Sequence, residues 1–156
     1  MLKYVDTKVT FSEVPDEISL CINISNCPCH CKNCHSSYLA QDIGTELTFN
    51  EVRKLIKKNS GISCIAFMGG DSEPERIDAL ASFVTSHYQL KVAWYSGRQE
   101  LSKEIDLQNF DAIKLGPYKE EFGPLNSRTT NQRFYKVSDG ELINITSKFW
   151  KHETEN

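Results

Sequence analysis

Four of the six cysteines lie within eight consecutive positions, in the segment CPCHCKNC at residues 27–34. Cys27, Cys31 and Cys34 have the spacing C-x3-C-x2-C, so three thiolates on one short loop can bind a single cluster. A [4Fe-4S] cluster has one more iron than this loop has ligands, which leaves an iron open to a small molecule. Cys29 has no place in the spacing, and we interpret it as a bystander thiol.

The same segment could instead hold zinc, because Cys29, His30 and His35 offer further thiolate and imidazole ligands. The spacing of the cysteines alone favours neither zinc nor an iron–sulfur cluster. A structural zinc site commonly takes two pairs of ligands from separate loops, and the sequence has no second pair, which favours the cluster. The remaining cysteines, Cys21 and Cys64, lie inside apolar runs and are predicted to be buried in the core.

A second polar segment, Gly69-Gly70-Asp71-Ser72-Glu73-Pro74, follows a predicted strand. Glycine lets a ligand approach the backbone closely, and a neighbouring carboxylate can bind an ammonium group. Together with the cysteine loop, this segment predicts a site for the amine of an amino acid beside an open iron. Ser96, after the next predicted strand, could bind another polar group of the ligand, although an ordinary turn explains it equally well.

These segments must be positioned by the elements around them. Four apolar runs have the length of strands: 17–24, 62–68, 90–95 and 111–115. Capping boxes at Thr48/Glu51 and Ser72/Glu75 predict two helices, and a short helical stretch is expected over 99–108. Residues 1–16 could add a hairpin strand, and residues 133–145 predict a terminal hairpin that turns at Asp139-Gly140.

The alternation of helices with nearly all-apolar strands predicts an α/β fold with its active site at the carboxyl ends of the strands. At 156 residues the chain is too short for a complete eight-stranded barrel. We therefore expect an open partial (β/α) barrel of mainly parallel strands with covering helices, in a single domain that spans residues 1–156.

Charge and hydropathy exclude some classes of partner. A net charge of −3 and a pI near 5.8 provide no basic surface, so nucleic acid is not expected as a partner. The N-terminal residues lack the apolar core of a signal peptide, and no stretch approaches the roughly 18 apolar residues of a membrane span. We expect a cytoplasmic protein without a membrane partner, in which crowded thiols bind metal rather than form disulfides.

Taken together, these motifs resemble the radical S-adenosylmethionine enzymes, whose signature is C-x3-C-x2-C after the first strand and a glycine-glycine-acid motif after the second. Within that superfamily, the short length and three further segments are similar to the activating enzymes of anaerobic ribonucleoside-triphosphate reductases. These segments are Trp94-Tyr95-Ser96-Gly97, residues 111–116 and Thr129-Thr130-Asn131-Gln132.

The resemblance implies two cofactors, a [4Fe-4S] cluster on Cys27, Cys31 and Cys34 and S-adenosyl-L-methionine on the open iron. It also implies the reaction: one electron cleaves the sulfonium to give methionine and a 5′-deoxyadenosyl radical, which removes a hydrogen from a glycine of the reductase. The implied partners are the catalytic subunit of the reductase and an electron donor such as a flavodoxin or ferredoxin. No catalytic side chain is implied beyond the cluster and S-adenosylmethionine.

The resemblance further implies which residues line the cofactor site: Asn33, Cys34, His35, Gly69, Gly70 and Ser96. Asn33 stands where many members have an aromatic residue, so a ring stacked on adenine is not implied. The family motif is usually Gly-Gly-acid-Pro, whereas Ser72 and Glu73 separate Asp71 from Pro74 here. The amine could therefore be held by either Asp71 or Glu73.

Two other functions are compatible with the motifs. The first is another short radical S-adenosylmethionine enzyme with a different protein or small-molecule substrate. The second is a zinc-binding or iron–sulfur-binding module without catalysis.

Overall fold

A computed structural model describes residues 1–28 and 41–150, in which eight strands form one sheet. The strands are β1 Lys3–Thr10, β2 Ser19–Ile24, β3 Thr45–Glu46, β4 Cys64–Met68, β5 Lys91–Tyr95, β6 Ala112–Leu115, β7 Arg133–Ser138 and β8 Glu141–Asn144. The α-helices in these ranges are α1 Phe49–Lys58 and α2 Pro74–His87, and short 3-10 turns cover Leu107–Asn109, Glu120–Phe122 and Thr146–Phe149.

The sheet is mixed. Its strand order is β3-β1-β2-β4-β5-β6-β7-β8. The central strands β2, β4, β5 and β6 run parallel to one another. The outer pairings β3–β1, β1–β2, β6–β7 and β7–β8 are antiparallel, which makes four antiparallel pairings and three parallel ones.

The predicted open partial (β/α) barrel of mainly parallel strands with covering helices is wrong. Antiparallel strands flank the parallel centre on both sides, and within the described ranges only α1 and α2 are α-helical. The helix expected over 99–108 is reduced to the 3-10 turn Leu107–Asn109, where the Asp106 side chain accepts a hydrogen bond from Gln108 N. A short aspartate-capped turn satisfies this backbone locally, so the connection from β5 to β6 needs no helix.

The two faces of the sheet are packed differently. Large apolar side chains on one face, including Ile65, Phe67 and Trp94, pack with Leu80 and Val84 of α2. The opposite face carries small side chains and is covered by loops and by the C-terminal segment; its buried members are Val14, Cys21, Cys64, Ala66, Ala93, Ala112 and Phe134. The prediction that Cys21 and Cys64 are buried is confirmed.

Of the two predicted helix caps, one is confirmed and the other is wrong. Thr48 caps α1 as predicted, since its Oγ1 accepts a hydrogen bond from Glu51 N at 3.0 Å. The box predicted at Ser72/Glu75 is wrong, because α2 begins at Pro74 and its N-cap residue is Glu73, which makes no side-chain capping bond. Proline at the first helical position fixes this start. No helix in the described part of the chain is long and apolar enough to cross a membrane.

The hairpin predicted within residues 133–145 is confirmed. Strands β7 and β8 pair antiparallel, with Ser138 opposite Glu141. The two turn residues, Asp139 and Gly140, have positive φ values of 51° and 75°, as a two-residue turn between twisted strands requires. The expected N-terminal hairpin strand is β1, which pairs with β2.

Candidate functional site

The central parallel strands end at one edge of the sheet. In register across this edge lie Asn23, Met68, Tyr95 and Lys114, one from each of β2, β4, β5 and β6. Because parallel strands present their carboxyl ends on the same side, the segments that follow them meet there. The cysteine loop and both turns that were predicted to bind the ligand all begin at this edge.

A cavity of about 740 Å³, here called the site cavity, opens at this edge. Its volume lies within the range of small-molecule sites, roughly 300–1,000 Å³. Its lining residues are Ser12, Glu13, Cys27, Met68, Gly69, Asp71, Tyr95, Gly97, Lys114, Tyr118, Pro124, Leu125, Asn126, Gln132, Lys148 and Phe149. The cavity thus joins the start of the cysteine loop to the glycine turn, although these segments are far apart in sequence.

Cys27 is the predicted cluster ligand that the structure describes. It follows β2, is partly buried and lines the site cavity. Cys31, Cys34, Asn33 and His35 lie outside the described residues. Within residues 1–28 and 41–150, no three His, Cys, Asp or Glu side chains are grouped so that they could hold a metal ion. The three-cysteine ligand set therefore remains a prediction.

The turn at residues 69–71, here called the glycine turn, needs glycine for a steric reason. Gly69 and Gly70 have φ values of +107° and +93°, which side chains rarely adopt. A Cβ on Gly70 would lie 2.5 Å from Ile77 Cδ1 and 2.7 Å from Ile77 Cγ1. Gly70 thus lets the backbone pack directly against α2, which places the following carboxylate on the site cavity.

Asp71 is a buried carboxylate that is held in one orientation by β5 and the residues after it. Ser96 Oγ donates to Asp71 Oδ1 at 2.5 Å, and Gly97 N donates to Asp71 Oδ2 at 2.8 Å. Ser96 is itself positioned, because its Oγ accepts a hydrogen bond from Arg98 N at 3.1 Å. Only 7% of Asp71 is exposed. Ser96 and Gly97 thus fix the orientation of the Asp71 carboxylate, and Asp71 lines the site cavity.

Glu73, the other candidate for the amine, is placed differently. Its Oε2 lies 2.6 Å from the amino nitrogen of Met1, and it occupies the N-cap position of α2. It is not among the residues that line the site cavity. The two acids that sequence reasoning could not distinguish are thus separated, with Asp71 on the cavity and Glu73 at the helix start.

No protein-family model matches this chain, and no curated protein or solved structure is detectably similar to it. The interpretation of the site therefore depends on its own residues and their geometry.

Sequence reasoning missed Lys114 as a site residue. This buried lysine lines the site cavity, and its Nζ donates to Gly116 O at 2.9 Å and to Gln132 Oε1 at 3.0 Å. Nζ also lies 5.7 Å from the centre of the Tyr95 ring. The available signal was a lysine inside the apolar strand DAIKL, because a lysine is rarely buried without bound partners.

Tyr95 also lines the site cavity. Its hydroxyl donates to Glu13 O, which ties the segment after β1 to the sheet. Burial, with the nearby negative charge of Glu13 as a smaller cause, raises the pKa of Tyr95 well above its ordinary value. A phenol is already protonated at physiological pH, and the raised pKa extends the range in which Tyr95 remains a hydrogen-bond donor to higher pH.

Proposed function

We propose that this chain cleaves S-adenosylmethionine reductively and uses the resulting radical to generate a glycyl radical on an anaerobic ribonucleoside-triphosphate reductase. The observation that carries the proposal is the site cavity, where Cys27, the glycine turn and the fixed carboxylate of Asp71 meet at one edge of the sheet. The cysteine spacing supports this class of chemistry.

The residues at the site are of the chemical types that an iron–sulfur cluster and S-adenosylmethionine require. Cys27 supplies a thiolate, the ligand type that iron–sulfur clusters require, and Cys31 and Cys34 complete the proposed set. Cys27, Cys31 and Cys34 would hold the cluster, which would supply one electron for reductive cleavage of a carbon–sulfur bond of S-adenosylmethionine and so give methionine and a 5′-deoxyadenosyl radical. The remaining task of the protein is to bind and orient the ligand and to exclude water.

The charges in the cavity suit the amino-acid end of S-adenosylmethionine. Asp71 presents a carboxylate whose orientation is fixed, which is the partner that an ammonium group needs. Lys114 places a positive charge in the same cavity. An amino acid carries both an ammonium and a carboxylate, so a cavity with both signs of charge matches it better than it matches a neutral ligand.

The cavity lining also includes the apolar residues Pro124, Leu125 and Phe149 and the charged residues Glu13 and Lys148, which could contact a segment of the protein substrate. A peptide segment containing the target glycine could lie there beside the nucleoside. The proposed partners are accordingly the catalytic subunit of the reductase and an electron donor such as a flavodoxin or ferredoxin.

The test is anaerobic reconstitution with iron and sulfide, chemical reduction, and measurement of 5′-deoxyadenosine released from S-adenosylmethionine. Cys27→Ala should abolish release, whereas Cys21→Ala, which removes a buried thiol that does not line the cavity, should retain it. Within the same assay, Asp71→Asn should weaken binding of S-adenosylmethionine by more than about tenfold, because it removes a charged hydrogen-bond partner. Glu73→Gln should leave binding nearly unchanged.

Adding the reductase subunit should produce a glycyl radical, detected by electron paramagnetic resonance. Release of 5′-deoxyadenosine without that signal would assign the chemistry to a different substrate. A reconstituted, reducible cluster that releases no product even with the reductase present would refute the proposal. Zinc bound in place of iron after expression in iron-replete cells would point to a binding module.

A further inference from the structure

The glycine turn takes its position from the end of β5. Gly69 N donates to Tyr95 O at 3.0 Å, and Trp94 Nε1 donates to Gly69 O at 2.7 Å. Two further bonds, from Ser96 and Gly97, hold Asp71. Four hydrogen bonds from consecutive residues of one segment thus fix the orientation of the turn.

The peptide group between Gly69 and Gly70 is the part of the turn that can most easily rotate. Both residues lack Cβ, and both have positive φ. Rotation of this plane would exchange the positions of the Gly69 carbonyl and the Gly70 N–H, which point in opposite directions across a trans peptide. The hydrogen bond from Trp94 can form in only one of the two orientations.

Trp94 cannot follow a rotated peptide, because its ring is fixed in the core. The residue is 1% exposed, and its ring centre lies 6.3 Å from that of Phe110. In the sheet it is paired with Phe67 on one side and Ile113 on the other. The indole N–H is a donor only, so a rotated peptide would leave it buried without an acceptor, which is unfavourable.

We infer that Trp94 is a positioning residue for the ligand site, because its indole N–H holds the Gly69–Gly70 peptide in the orientation that binds the ligand. The inference rests on the proposed function only for the identity of that ligand, S-adenosylmethionine. Without the bond, the turn populates both orientations and the ligand must select one. The apparent dissociation constant then rises by the inverse of the competent fraction, while turnover at saturation stays the same.

The experiment compares three variants of the full, cluster-reconstituted chain. Trp94→Phe removes the donor, and replacement of Trp94 by benzothienylalanine removes it while keeping the shape of the ring. Ile113→Val is the matched control, since it loosens the neighbouring core without touching a hydrogen bond. Binding of S-adenosylmethionine, release of 5′-deoxyadenosine and hydrogen exchange of the peptide that contains residues 69–71 are measured for each.

Both Trp94 variants should raise the dissociation constant of S-adenosylmethionine by about twofold if the two orientations become equally populated, and by at most about tenfold, the net effect of one hydrogen bond. Turnover at saturation should stay within about twofold of wild type. Exchange at the glycine turn should become about tenfold faster. Unchanged binding in both variants, or an equal loss in Ile113→Val, would overturn the inference.

The two proposals fail separately. If the wild-type chain, with its cluster intact, does not bind S-adenosylmethionine, the proposed function fails, and hydrogen exchange alone decides the role of Trp94. Faster exchange at the turn in the benzothienylalanine variant then supports the positioning role for whichever ligand the cavity takes. Exchange equal to that of wild type overturns it.

Discussion

Replacing Gly70 by alanine tests whether the glycine turn really packs against α2. The matched control is Gly61→Ala, because Gly61 has nearly the same backbone angle, φ +90° against +93° for Gly70. The surroundings differ. A Cβ on Gly61 would meet nothing within 4 Å, whereas a Cβ on Gly70 would lie 2.5 Å from Ile77 Cδ1. The pair therefore separates steric overlap from backbone strain.

The magnitude follows from these two contributions. Placing an L-residue at a positive φ costs roughly 1–2 kcal/mol, and both variants carry this cost. Overpacking in a filled core adds about 1–3 kcal/mol, and only Gly70→Ala carries that cost. We expect Gly61→Ala to lower the free energy of unfolding by about 1–2 kcal/mol and Gly70→Ala by about 2–5 kcal/mol.

Urea denaturation measures both values, with the m-value as the check that unfolding stays two-state. The double variant Gly70→Ala/Ile77→Ala adds a second check, since removing the side chain that the new methyl meets should relieve the overlap. The two substitutions should therefore couple favourably by about 1–3 kcal/mol. Equal destabilisation by Gly61→Ala and Gly70→Ala, with no coupling to Ile77, would refute the packing that the structure gives for this turn.

Two further predictions concern a helix cap and a buried thiol. Thr48→Ala should lower the free energy of unfolding by about 1 kcal/mol in urea titrations, because Glu51 N loses its acceptor, while Thr48→Ser should cost much less; equal losses would contradict the cap. Burial raises the pKa of the Cys64 thiol to about 12 from an ordinary value of 9.0, so its stabilising effect is complete below pH 9 and is lost as the pH rises toward 12. The stability of wild type relative to Cys64→Ala should therefore fall by about 1.4 kcal/mol per pH unit above pH 9, and a constant difference up to pH 10.5 would contradict the shift.

Local sequence patterns predicted the elements that depend on local forces. The four apolar runs became β2, β4, β5 and β6, each within two residues of its predicted limits. Thr48 Oγ1 accepts a hydrogen bond from Glu51 N at the start of α1, and Asp139-Gly140 forms the hairpin turn. Each of these signals acts within a few residues along the chain, so periodicity and capping chemistry are sufficient to recognise it.

The direction in which neighbouring strands pair is not determined by local sequence patterns alone. β1 lies antiparallel to β2, and β7 lies antiparallel to β6. A continuous apolar run indicates that both faces of a strand are covered, but it does not fix the direction of the strand beside it. Hairpins were expected at both ends of the chain, but the four antiparallel pairings at the flanks outnumber the three parallel pairings of the centre, and the expectation of a mainly parallel sheet therefore failed.

The residues of the candidate site were likewise predicted only where the sequence signal is local. Cys27 and the glycine turn were recognised from spacing and residue type, whereas Lys114 was missed, because its only signal was a single lysine in a short apolar run. Its role depends on Gln132, which reaches it only because β7 returns beside β6. Side chains whose partners come from another strand become interpretable only when the pairing is known.

The distinction between Asp71 and Glu73 depends on burial rather than on order in the motif. A carboxylate at the N-cap of a helix is favoured by the helix itself, so Glu73 needs no ligand to explain its place. Asp71 is buried, and burying a carboxylate is costly unless donors compensate it. Ser96 and Gly97 provide those donors from the segment after β5 and thereby keep the carboxylate on the cavity wall. A buried and oriented charge beside an open cavity suits the binding of an oppositely charged group, and this is why Asp71 rather than Glu73 is the acid to which we assign the amine.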